Sequence, residues 1–345
     1  MSWLEQELRE QPAALARLLE RRADDAARLA AAFRRRDVRY ILIASRGSSS
    51  NAARYAQYLL GRAHRVPVVF ATPSLYTLYG QPPRLAGALV VGISQSGESP
   101  DVCAVVEEAR RSQRPTLAIT NAPDSPLACA AEAVLPIEAG EEHAVAATKT
   151  YLNSLGAIAL LYAEIADDDA ARAELARMPS ALAEQVELSL AERDLVDGYR
   201  DADGATVVAR GINYCTAFEV ALKIRELAGL LVEPYSAADL LHGPIAAIAD
   251  GWPVVLVAPS GPARESVEEI VPALRERGAR LLVVSDDDAL LDRAEMPLRL
   301  VGGVPEWLSP LTAVVPGQAA ALRLAELRGL DLDSPRGLRK VTLTH

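Results

Sequence analysis

Cysteine is scarce in this chain, with three residues in 345, at positions 103, 129 and 215. No two of them form a CxxC pair and none stands beside a histidine, so neither a zinc site nor a disulfide framework is suggested and a reducing compartment fits. Basic residues are outnumbered: 36 Lys and Arg face 46 Asp and Glu, for a formal net charge of −10. That balance excludes nucleic acid as a partner, because a phosphate backbone demands a basic surface. A small anion is still allowed, since backbone N–H groups and hydroxyls can hold a phosphate without net positive charge. Long apolar runs are also missing. The stretch Ala157–Ala166 contains Tyr162 and Glu164 and falls short of a membrane span. The start, Met1-Ser-Trp-Leu-Glu, lacks the charged-then-apolar pattern of a secretory leader. These absences describe a cytoplasmic protein that meets no membrane and requires no metal or organic cofactor.

What is present is an α/β alternation with ample core. Half the residues are hydrophobic and the length favours two domains. Residues 1–36 form an N-terminal helical segment, expected as two short amphipathic helices separated at Gln11-Pro12. The run Tyr40-Ile-Leu-Ile-Ala reads as a strand buried on both faces, and Leu89-Val-Val-Gly-Ile and Thr116-Leu-Ala-Ile-Thr read likewise. With helices between them, they predict a parallel sheet flanked by helices on both faces, a flavodoxin-like three-layer sandwich. The pattern then repeats at a fixed offset. Gly211 follows Gly47 by 164 residues, Ser260 follows Ser96 by 164, and Leu281 follows Leu117 by 164. Three landmarks sharing one offset indicate two tandem copies of one module. The first copy is assigned to 37–190 and the second to 191–330, with 331–345 as a tail.

In such a sheet, ligands sit beyond the carboxyl ends of the strands. There the first copy carries Gly47-Ser48-Ser49-Ser50 and Ser94-Gln95-Ser96-Gly97-Glu98-Ser99, two loops rich in hydroxyls that lead into helices. Ser and Gly are common in turns and N-caps. Two such loops on neighbouring strands of one module point to a phosphate site. The matching loops of the second copy, Arg210-Gly-Ile-Asn-Tyr and Pro259-Ser-Gly-Pro, have lost most hydroxyls, and Pro262 removes a donor. That copy instead carries Glu219, Lys223 and Glu226, spaced i, i+4, i+7 on one helical face. Such a stripe reads either as a solvated ion-pair face or as a catalytic group. Of four histidines, His242 stands in the tight sequence Leu240-Leu-His-Gly-Pro, His64 reads as surface, His143 follows two glutamates, and His345 ends the chain. A carboxylate, an amine, an imidazole and a phosphate loop are together the parts for moving a proton beside a carbonyl.

Glu10-Gln-Pro, Ser94-Gln-Ser-Gly-Glu-Ser, Ala147-Thr-Lys-Thr, Glu219-Val-Ala-Leu-Lys-Ile-Arg-Glu, His242-Gly-Pro and Leu338-Arg-Lys-Val-Thr occur in this order, nearly end to end. In this combination the chain resembles the SIS (sugar isomerase) phosphosugar-binding family, most nearly the isomerase half of glutamine–fructose-6-phosphate aminotransferase and stand-alone glucosamine-6-phosphate deaminases. The resemblance implies that Ser49, Ser94, Gln95, Ser96 and Ser99, beside Ser48, hold a substrate phosphate, and that the backbone at Val145 and Ala146 meets the sugar. It implies that Glu226 moves a proton between C1 and C2 and that Lys223 assists at a substrate oxygen. His242, supplied by the partner of a homodimer, would help open the ring, and Lys340 would cover the carbonyl end. No glutaminase segment stands in this sequence, which favours loss of ammonia from glucosamine 6-phosphate over synthesis. A fructosamine-6-phosphate deglycase and a non-catalytic sugar-phosphate sensor are the other readings. Two positions depart from the family pattern: Ala147 replaces a serine, and Arg46 precedes Gly47 where a small residue is usual.

Overall fold

Uninterrupted aliphatic runs become the inner strands of two sheets. The computed structural model describes residues 1–335, 337, 338 and 340. The first sheet comprises β1 (Tyr40–Ser45), β2 (Val68–Phe70), β3 (Ala88–Ile93), β4 (Thr116–Thr120) and β5 (Ala133–Pro136). All pair in parallel, in the order β2-β1-β3-β4-β5. Successive side chains point to opposite faces, and both Ile41 and Leu42 are buried, so both faces are covered.

The second sheet comprises β6 (Gly204–Ala209), β7 (Leu231–Ser236), β8 (Pro253–Val257), β9 (Arg280–Ser285) and β10 (Met296–Arg299). It is again parallel throughout, in the order β7-β6-β8-β9-β10. The two orders are the same, and β6 starts and ends 164 residues after β1. The expected α/β class and the tandem architecture are both observed.

Two compact units contain these sheets. One consists of Ala13–Glu142 and Lys149–Arg177, with Lys340; it holds the first sheet. The other consists of Met1–Pro12, His143–Thr148 and Met178–Leu338 and holds the second. Each sheet has a long buried helix. Lys149–Ala166 is buried at almost every position, and so is Pro310–Leu327. Gly317 lets the latter approach Tyr214–Ala228 closely, since a Cβ there would lie 2.3 Å from Val220 Cγ2.

The N-terminal segment corrects one expectation. Trp3–Arg34 is a single 32-residue helix with Pro12 inside it. Leu4, Leu8, Leu15 and Leu18 are all fully buried on either side of the proline. An interior proline costs about 3 kcal/mol, whereas each buried leucine returns about 1.5–3 kcal/mol. The apolar stripe therefore carries the helix through. His64, expected at the surface, is half-buried at the end of the helix Gly47–His64. Burial lowers its pKa, and among the described residues its Nε2 has no hydrogen-bond partner.

Candidate active site

The strand order fixes where a ligand can enter the first sheet. The chain runs from β1 outward to β2, then returns to β3 on the other side of β1, so the β1/β3 junction is the topological switch point. Ser45 at the end of β1 pairs with Ile93 at the end of β3, and both hydroxyl-rich loops begin there. Backbone and hydroxyls bond locally to shape them: Ser45 Oγ lies 3.1 Å from Ser50 Oγ, Gly97 N donates to Ser94 Oγ at 3.1 Å, and Glu98 N donates to Ser96 Oγ at 3.3 Å. Ser48, Ser49, Gln95, Ser96 and Ser99 are partly exposed, while Ser94 is buried. Gly97 is required twice over. Its φ is +66°, and a Cβ would fall 2.0 Å from Ser125 Oγ. Ser99 occupies the N-cap position of the helix Pro100–Arg111 without a side-chain capping bond, and the helix N-terminus adds a favourable dipole for an anion.

The same unit places Lys340. Its ammonium donates to Glu142 Oε2 at 2.6 Å, and the Glu142 side chain is fully buried. Glu142 also accepts from Thr150 N at 3.1 Å and Thr150 Oγ1 at 2.7 Å, at the start of the helix Lys149–Ala166. Arg339, Val341, Thr342 and His345 lie outside the described residues.

In the second-sheet unit, the charged stripe is not a solvated face. Glu219 is 0% and Lys223 1% exposed, and Glu226 keeps a side-chain exposure of 24%. Lys223 Nζ lies 2.5 Å from Glu226 Oε2 and 3.6 Å from Glu219 Oε1. Burial on this scale is reserved for paired charges, so the helix Tyr214–Ala228 presents one carboxylate to solvent and holds it with an internal cation. His242 is exposed at the end of the short helix Ala237–Leu241, its N–H donating to Asp239 O at 3.1 Å. No hydrogen bond or ion pair of its side chain occurs among the described residues.

Val145 is half-buried and Ala146 buried, in a segment tied down just upstream. His143 N and Ala144 N donate to the two oxygens of Glu7, which is 1% exposed, and the His143 ring stacks on Trp3 at 4.4 Å between centroids. Glu7, Glu142 and Asp101, partner of Arg46, are site-supporting residues that sequence reading missed. Each lies close to a quoted motif, and that proximity was the available signal; its burial is not visible in a string of letters.

In the second sheet, the loop after β8 is bonded by acids of the chain itself. Ser260 N donates to Asp286 Oδ1 at 2.7 Å, and Ala263 N donates to Glu306 Oε1 at 3.1 Å. In the loop after β8, these two backbone donors already have an acid.

Comparison with known proteins agrees with this geometry. The SIS domain family model matches residues 22–164 and again 198–326. The chain is 34% identical over 305 residues to glutamine–fructose-6-phosphate aminotransferase (isomerizing) of Pyrococcus horikoshii, which covers 87% of this chain and 51% of that protein. It therefore spans about half the length of the curated relatives it matches. Among solved structures, the C-terminal domain of glucosamine-fructose-6-phosphate aminotransferase from Francisella tularensis superposes with a TM-score of 0.85, at 25% identity over 97% of this chain and 98% of that one. Glucosamine-6-phosphate deaminase from Thermotoga maritima shares the fold, with a TM-score of 0.79 at 21% identity over 99% and 100% of the two chains. Two matched modules of the same order and register, one with open hydroxyl loops and one without, make this chain a member of the SIS domain family.

Proposed function

We propose that the protein is an SIS-type amino sugar phosphate isomerase/deaminase that converts glucosamine 6-phosphate and water to fructose 6-phosphate and ammonia. The observation that carries this reading is the buried Lys223 holding Glu226, a carboxylate positioned by a cation and still open to solvent. In the proposed reaction the loops after β1 and β3 hold the phosphate. Glu226 takes the C2 proton of the open-chain aldose and returns it at C1, which leaves an imine at C2. Water adds to that imine, and ammonia departs as the ketone forms. Lys223 keeps the carboxylate in place, and Lys340, paired with Glu142, acts as a fixed cation toward the carbonyl end. The exposed His242 is proposed to serve the neighbouring subunit of a homodimer in ring opening.

Support comes from the hydroxyl loops at the switch point and from relatives whose names carry fructose 6-phosphate chemistry. The test is ammonia release and fructose 6-phosphate formation from glucosamine 6-phosphate, run beside a panel of fructosamine 6-phosphates. Glu226→Gln is expected to abolish turnover and retain binding of the sugar phosphate. Turnover surviving in that variant removes Glu226 from the mechanism, and release of glucose 6-phosphate and the parent amine from the fructosamine panel alone makes the protein a deglycase.

A further inference from the structure

Arg46 stands at the end of β1, immediately before the first hydroxyl loop, and Asp101 stands in the first turn of the helix that follows the second. The two loops are thus joined by an ion pair. Arg46 Nε donates to Asp101 Oδ2 at 2.7 Å, and Nη2 approaches the same oxygen at 2.5 Å. The two partners differ sharply in exposure: the Asp101 side chain is 3% exposed, that of Arg46 50%. The other Asp101 oxygen accepts from Val102 N at 2.8 Å. A buried carboxylate therefore occupies the helix end that a phosphate dianion would approach. Unopposed, it would repel that dianion through a poorly screened medium. Arg46 offsets it, so the pair is formally neutral with the cation as its exposed member, while Glu98 in the second loop is an exposed acid.

We propose that Arg46 and Asp101 form a charge bridge that sets the preference of this site for a phosphate dianion, Arg46 acting as its specificity-determining cation. This rests on the reading of the first-sheet loops as the phosphate site. The geometry gives the arginine two tasks. It joins Arg46–Ser50 to Ser94–Ser99 across β1 and β3, and it offsets the charge that the fold itself has placed beneath the ligand. A lysine could supply the charge; its single ammonium does not reproduce the guanidinium's two-nitrogen grip on Asp101. The bridge has a signature in pH, because a phosphate monoester becomes a dianion with a second pKa of about 6. Affinity should rise with pH through that value where the cation is present and should flatten where it is not.

The experiment measures KM and kcat with glucosamine 6-phosphate, and the dissociation constant of inorganic phosphate, between pH 5.5 and 7.5. It uses wild type, Arg46→Ala, Arg46→Lys and Arg46→Ala/Asp101→Asn. Arg46→Ala is expected to raise KM and the phosphate dissociation constant by about tenfold or more, with kcat changed less than about threefold, as for a lost charge-assisted contact. Its KM should no longer fall as pH rises through 6. The double variant should recover part of the loss, because the opposing carboxylate has gone too; Arg46→Lys should keep the pH dependence with a smaller rise in KM. Unchanged KM and an unchanged pH profile in Arg46→Ala overturn the proposal, and so does a double variant no better than the single one. If Arg46→Ala does not fold, Arg46→Lys and the double variant decide the matter by the same profile. Wild type that binds neither inorganic phosphate nor the sugar phosphate overturns the phosphate site itself, a result distinct from a bridge that has no effect on a working site.

Discussion

Replacing Lys223 by methionine keeps most of the side-chain volume and removes one charge from the cluster Glu219–Lys223–Glu226. If the stripe were solvated, the loss would be small: exposed pairs contribute about 0–1 kcal/mol. Here Lys223 is 1% and Glu219 0% exposed, so Glu219 would be left as a buried carboxylate without the cation beside it. Breaking a buried pair by removing one partner costs about 3–5 kcal/mol. The variant Lys223→Met/Glu219→Gln removes the stranded charge as well, and its cost should drop to about 1–3 kcal/mol, the penalty of imperfectly satisfied buried polar groups. The double variant is therefore expected to be more stable than the single one by about 2 kcal/mol. Urea denaturation at pH 7, followed by far-UV circular dichroism, reads this from the midpoints at constant slope. Turnover supplies an independent readout. Lys223→Met should lower kcat about a hundredfold or more, because the proposed base, Glu226, loses the cation that fixes it, and the double variant should recover stability without recovering turnover. A single variant within about 0.5 kcal/mol of wild type would show that burial of this pair has no energetic content and refute the reasoning.

Further tests address the surrounding fold. Gly97→Ala combines a positive φ with a Cβ that would lie 2.0 Å from Ser125 Oγ; it should cost roughly 1–3 kcal/mol and weaken sugar-phosphate binding far more than Gly303→Ala, where nothing lies within 4 Å. Burial lowers the His64 pKa from 6.5, so the unfolded chain binds its proton first as pH falls. This contribution to stability is complete above pH 6.5 and is lost on acidification through the lower folded value; His64→Gln should show a smaller drop in Tm between pH 7.5 and 5.5. Of the three thiols, Cys129 is exposed, Cys215 is buried, and the buried Cys103 is pushed up to about 11. A disulfide reagent at pH 8 should titrate one thiol quickly, with the other two released only on unfolding.

Much of the architecture is legible in the order of residues. Strands buried on both faces have no polar alternation, so Tyr40–Ala44 and Leu89–Ile93 declare themselves, and the shared offset of Gly211 and Ser260 exposes the duplication. The spacing of Glu219, Lys223 and Glu226 shows a common face, yet the same spacing serves solvated and buried stripes alike. Only their burial in the folded chain, 0% exposure at Glu219 and 1% at Lys223, distinguishes them. Pro12 misleads for a related reason, because its local cost is set against leucines whose burial is a tertiary fact. The least legible features are the acids that hold the loops. Glu7 meets His143 across 136 positions, Asp101 meets Arg46 across 55, and Glu142 meets Lys340 across 198. No helical or strand period connects residues so far apart.

Asp286 and Glu306 act on their own sheet as permanent ligands, and permanence has a thermodynamic meaning. A bound molecule stabilises a fold in proportion to the logarithm of its concentration over its dissociation constant. A carboxylate carried on the same chain contributes at every concentration, including zero. The loop after β8 thus has two of its donors satisfied by the chain itself, whereas the buried acid beside the first-sheet loops, Asp101, is paired with Arg46. On the proposed function, the first module gains stability from its bound sugar phosphate, and the 259–263 loop keeps its bonds to Asp286 and Glu306 at every concentration of it.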